Sequence, residues 1–161
     1  MIINEFWEII EKGKVSEEPA SVIRGVLEKI SPAEIASFQE YFDKLHEQAY
    51  HWKLWGAAHV IGDGCSDDGF IDFRYGLISR GKEIYEKAIK DPDSLAHFVE
   101  NTEIQNEPFA YIAQELYEEI TGSVIPRIKF NGLTDPSGVE WDFDNKELTR
   151  QHLPKLAGLY L

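Results

Sequence analysis

The amino-acid sequence predicts an all-α protein, a single multi-helix bundle carrying a loop-rich C-terminal arm. Apolar residues recur at helical spacing from Phe6 to Ile120. Capping residues and first-turn prolines punctuate that pattern, most clearly at Ser31-Pro32-Ala33-Glu34 and Asp91-Pro92-Asp93. Beyond Ser123 the period gives way to turn-forming residues, among them Pro126, Gly132, Pro136 and Gly138. The expected organisation is one domain over 1–161, with a helical core over 1–122 and an irregular arm over 123–161.

Each element has a local reason. Asn4 is placed to cap a first helix with Phe6, Trp7 and Ile10 on one face, ending at Gly13. A second helix follows Ser16 and turns Ile23, Val26, Leu27 and Ile30 inward. Ser31 and Glu34 form a capping box for a third, with Ile35, Phe38, Phe42 and Leu45 buried. Its period continues through Trp52 and Val60 to the break at Gly62-Asp63-Gly64, as one long helix or two stacked ones. Ser66-Asp67-Asp68 reads as the cap and first turn of a helix with Phe70, Phe73, Leu77 and Ile78 inward, followed by another over 82–90. Asp91-Pro92-Asp93 begins a short helix with Leu95, Phe98 and Val99. Asn106-Glu107-Pro108 begins the last long one, carrying Phe109, Ile112, Ala113, Leu116 and Ile120 to Gly122. In the arm, Glu140 to Asp144 alternates polar and apolar, which admits a short β-hairpin of 128–130 with 139–143, and 148–161 admits a final helix broken at Pro154. The expected core is Phe6, Trp7, Leu27, Phe38, Phe42, Trp52, Phe70, Phe73, Leu77, Leu95, Ile112 and Leu116.

Composition restricts the function. Sixteen basic against 29 acidic side chains leave a net charge of -13, which opposes nucleic acids and anionic membranes. No apolar run approaches the ~20 residues of a membrane helix. The N-terminal residues do not read as a signal peptide, and Cys65 is alone. Both points lead to an expected cytoplasmic location.

One segment is long and unusual: Trp52-Lys53-Leu54-Trp55-Gly56-Ala57-Ala58-His59-Val60-Ile61, then Gly62-Asp63-Gly64-Cys65-Ser66-Asp67-Asp68-Gly69-Phe70, Phe73-Arg74, Leu77-Ile78 and Asp91-Pro92-Asp93-Ser94-Leu95-Ala96. With Phe6-Trp7 and Leu153-Pro154-Lys155-Leu156, it resembles the bacterial family called domain of unknown function 4240, departing from it at Gly76, where the family usually has tryptophan. The resemblance implies a fold and no established activity.

The candidate binding or motif residues are Trp55, His59, Cys65, Ser66, Asp67, Asp68 and Arg74. Asp67 and Asp68 begin a helix, where the dipole favours carboxylates by about 0.3–1 kcal/mol each. Arg74 borders the apolar stripe of that helix, so a pairing with Asp67 or Asp68 is expected. Cys65 before a helix N-terminus, with His59 nearby in sequence, is the pattern of a small cysteine hydrolase, in which Asp67, Asp68 and Arg74 are further candidates, yet the two aspartates would raise the thiol's pKa. His51, His59, Asp63, Cys65 and Asp67 match no zinc or EF-hand spacing, so no metal and no cofactor is expected; a metal- or ligand-sensing domain is the third reading.

Charge supplies the first reading. From Asp91 to Glu119 there are eight acidic residues and no lysine or arginine. Glu118 and Glu119 sit near a helix C-terminus, where the dipole disfavours them, with Arg127 and Lys129 downstream as local partners. The expected function is a non-catalytic, protein-binding or regulatory role, with Glu107, Glu115, Glu118 and Glu119 docking a basic protein. Small acidic bacterial proteins that neutralise basic toxins or nucleases offer the analogy.

Overall fold

The computed structural model describes residues 1–98, 104, 107–127 and 135–161. The described residues are helical, with no strand and one isolated parallel bridge, His51 to Ser137. In chain order the helices are α1 (Ile3–Lys14), α2 (Pro19–Leu27), α3 (Pro32–Gln48), α4 (Trp52–Gly62), α5 (Asp67–Ser79), α6 (Lys82–Lys90), α7 (Ile112–Thr121), α8 (Lys146–His152) and α9 (Pro154–Tyr160). Two 3-10 segments, Pro92–His97 and Glu107–Ala110, lie between α6 and α7. No helix among the described residues is long and apolar enough to cross a membrane.

Local chemistry sets most boundaries. The capping box at α3 forms as its residues dictate: Ser31 Oγ accepts from the Glu34 amide and the Glu34 carboxylate accepts from the Ser31 amide. Ser66 Oγ accepts from the Gly69 amide at 3.1 Å and starts α5. At α1 the expectation fails, because the helix begins one residue before Asn4, with Ile2 at the cap and Glu5 taking the Ile2 amide at 2.8 Å. Gly13 lies inside that helix, its missing side chain leaving room for Ile23 of α2. The run from α3 to α4 is two helices, parted at Ala49–His51 where the chain turns to meet Ser137.

One contiguous core is built from Phe6, Phe38 and Phe42, continuing through Leu54, Phe70, Phe73 and Leu77 to Leu95, Leu116, Leu153 and Leu156. Eleven of the twelve expected core residues are buried; Trp52 is half-buried and stacks on Trp55 at 5.4 Å. The expected hairpin does not form over 139–143, and its other half, 128–130, lies outside the described residues, as do Val99 and Asn106. Instead Trp141 is buried against α4 at Gly56, where a Cβ would overlap the indole. Gly56 therefore sets how closely the arm approaches the bundle.

Candidate functional site

The turn from α4 to α5 carries most of the residues singled out above. Asp63 ends α4 in the left-handed conformation, φ 50 and ψ 49, and Gly64 follows at φ 119. That reversal exposes Asp67 and Asp68 at the start of α5. Cys65 is half-buried, and its Sγ faces the Ser66 carbonyl at 3.7 Å. Burial, reinforced by Asp72, pushes the thiol pKa up to about 11, the wrong direction for a nucleophile at neutral pH. Trp55 is a structural member of this turn, with Nε1 donating to the Cys65 carbonyl at 2.9 Å and its ring stacked on Phe70 at 4.9 Å.

Arg74 does not pair with Asp67 or Asp68. Its side chain is buried, with Nη1 donating to the His46 carbonyl at 3.0 Å and Nε to the Phe70 carbonyl at 3.4 Å. The guanidinium carbon lies 4.6 Å from the Tyr50 ring and 4.9 Å from the Phe70 ring. Two carbonyl dipoles and two aromatic faces thus hold the cation, and desolvation still lowers its pKa to about 10. The reason the expectation fails is geometric. The first-turn carboxylates point to water, while a residue two turns on points into the seam with α3.

That seam contains groups the sequence reading passed over. His46 Nε2 donates to the Ile71 carbonyl at 3.1 Å and the ring stacks on Tyr75 at 3.9 Å. Burial, then the Arg74 charge, lowers its pKa to about 3. Tyr85, its pKa raised by burial, donates from its hydroxyl to the Leu45 carbonyl at 2.6 Å.

His59 finds its partner in the arm. Its Nε2 lies 3.2 Å from Asp144 Oδ1, and its ring is 5.5 Å from Phe143. These residues, with Asp63, Lys146 and Tyr160, line a pocket of about 300 Å3. No spacing rule connects Asp144 to His59, so Asp144, Lys146 and Tyr160 carried no signal in the sequence. Among the described residues, none of His59, Cys65, Asp67, Asp68 and Arg74 hydrogen-bonds or ion-pairs with another, so the cysteine-hydrolase constellation is not assembled.

The Asp91-Pro92-Asp93 motif serves the fold. Asp91 Oδ1 accepts from the Asp93 amide, beginning the 3-10 turn. Asp93 is buried, and its two oxygens accept from the amides of Lys155 at 3.0 Å and Leu156 at 2.9 Å. It therefore caps α9, whose own cap residue, Leu153, has no side-chain acceptor.

The acidic run divides in the same way. Glu119 ion-pairs with Arg24 of α2, and Arg127 pairs with Asp43 of α3 at 3.3 Å rather than with Glu118 or Glu119. Lys129 and the side chain of Glu107 lie outside the described residues. Glu115 and Glu118 are exposed, with no ion-pair partner among the described residues.

The family model described as "Protein of unknown function (DUF4240)" matches residues 1–119, which includes α1 to α6 and most of α7 and stops short of the arm. No curated protein and no solved structure matches the chain.

Proposed function

The chain belongs to the DUF4240 family, whose description states no activity, and from its own surface we propose a non-catalytic, protein-binding or regulatory module that docks a basic partner on the outer face of α7. The observation that carries the proposal is the line Tyr111, Glu115, Glu118. At spacings of four and three residues these side chains share the face opposite Ile112, Ala113 and Leu116, and all three are exposed. Two carboxylates free of any ion pair among the described residues follow, one and two turns on, a tyrosine that is 46% exposed. That combination suits a lysine- or arginine-rich surface, the charges steering the encounter and the ring supplying contact area. Glu119 leaves the docking set because Arg24 already engages it. The single cysteine, Cys65, which has no second cysteine in this sequence to pair with, supports a reducing, cytoplasmic setting for the interaction.

The test uses a photoreactive phenylalanine at position 111 to cross-link the partner in the native host, followed by association kinetics with that partner. The Glu115→Gln/Glu118→Gln variant should associate several-fold more slowly at low ionic strength and show a flatter salt dependence. Equal rates and equal salt slopes would overturn the docking face.

A further inference from the structure

We propose that His51 is a proton-sensitive latch, whose protonation undoes the cap of α4 and with it the attachment of the C-terminal arm at Ser137. The latch is independent of the α7 face.

Its geometry begins with the amides that open α4. A helix start leaves its first amides without intrahelical acceptors, and here two acceptors from outside the helix meet two of them. Ser137 of the arm offers its carbonyl to the Trp52 amide at 2.9 Å, and His51 Nδ1 accepts from the Leu54 amide at 3.3 Å. The Ser137 amide in turn donates to the Tyr50 carbonyl at 3.1 Å. The arm is therefore held by the residues on either side of His51, which has the extended backbone of a cap, φ -145 and ψ 153. Fraying of that cap moves both attachment points.

Histidine performs this cap only while neutral. With Nδ1 accepting, the ring's proton is on Nε2, a buried nitrogen with no hydrogen-bond partner among the described residues. A second proton, on Nδ1, turns the acceptor into a donor that faces the Leu54 amide. It also sets a positive charge at the positive end of the α4 dipole. Burial first, and Lys53 second, already hold the His51 pKa below its ordinary value. Nothing described compensates the charge: no carboxylate pairs with His51, Asp91 is engaged by Lys53 at 3.8 Å, Asp135 on the arm is exposed, and a further cation, Arg74, lies 4.6 Å from the Tyr50 ring. When the first turn of α4 opens, the imidazole reaches water and titrates near its usual ~6.5, so the open form takes up the proton first. The Ser137 attachment is thus held above about pH 6.5 and released as pH falls below it. Asp93 still ties α9 to the bundle, so the release is confined to the entrance of the arm.

The experiment is hydrogen exchange of the full chain at pH 7.5 and pH 5.0, expressed as protection factors so that the pH dependence of the exchange chemistry is removed. The Trp52, Leu54 and Ser137 amides should lose about tenfold in protection between the two, the advantage that protonating a freed imidazole gives the open form. At pH 5.0 they should be less protected than the amides of Phe42 and Leu77, two buried residues whose exchange reports opening of the core. His51→Asn and His51→Ser each keep a capping oxygen that does not titrate, so both should fold and lose less than about twofold. Three results would each overturn the proposal: the same loss in both variants as in wild type, no loss in wild type, or Trp52, Leu54 and Ser137 amides protected at pH 5.0 as strongly as those of Phe42 and Leu77.

Discussion

Two aspartate-bearing turns of the family segment, Ser66-Asp67-Asp68 and Asp91-Pro92-Asp93, look alike in sequence and have opposite fates. At the first, Ser66 caps the helix and the carboxylates of Asp67 and Asp68 remain in water beside the amides of their own first turn. At the second, Asp91 performs the local cap while Asp93 is 4% exposed and caps α9, 62 residues away in the chain. A carboxylate at a helix start contributes about 0.3–1 kcal/mol by itself. The same group becomes structural when a second helix brings uncapped amides to it, because those amides, once buried, have no water to replace it.

The comparison is broken most forcefully at Asp93. Asp93→Ala should destabilise the protein by about 3 kcal/mol, since a buried and a partly buried amide lose their carboxylate acceptor. Asp93→Asn keeps one acceptor oxygen and should cost about half as much, read by urea denaturation. A loss for Asp93→Ala no greater than that for Asp67→Ala would show that the buried cap is no more important than the exposed turn.

Next is the contact that brings the arm to α4. Gly56→Ala sets a methyl group against the Trp141 indole and should cost about 2 kcal/mol by overpacking, with a change in tryptophan fluorescence as the ring is displaced. An unchanged spectrum and stability would mean that the arm does not depend on this approach.

The seam between α3 and α5 extends the comparison to pH. His46 has a pKa of about 3 in the folded chain against an ordinary 6.5, so the unfolded chain takes up its proton first. Its contribution is complete above pH 6.5 and is lost as pH falls toward 3. With allowance for its partial exposure, lowering the pH from 7.5 to 5.5 should cost wild type about 1 kcal/mol more than His46→Gln. Equal losses in the two proteins would remove His46 from the account.

The smallest effects belong to the exposed turn. Asp67→Asn and Asp68→Asn should each cost about 0.3–1 kcal/mol, the helix-dipole contribution alone. Combined with Arg74→Met, each should be additive within about 0.5 kcal/mol, because the guanidinium is held by His46, Phe70 and Tyr50 instead. A larger coupling in a double-mutant cycle would restore the ion pair that the sequence suggested.

Much of the fold was legible residue by residue. The Ser31-Glu34 box, the Ser66 cap, the boundaries of α6 and the stop at Gly122 depend on interactions within one turn, and they formed as read. The hydrophobic period placed Phe6, Phe42, Phe70 and Leu77 in the core because helix geometry alone decides which residues share a face. Those statements depend on neighbours three or four residues away. What the tertiary structure decided was every pairing across a longer interval: Asp93 with α9, His59 with Asp144, Glu119 with Arg24, and Arg74 with two carbonyls and two rings. A charged side chain reaches several ångströms in many directions and carries no period. Which partner it meets is set by how whole helices pack, a choice made by the core residues rather than by the charge itself.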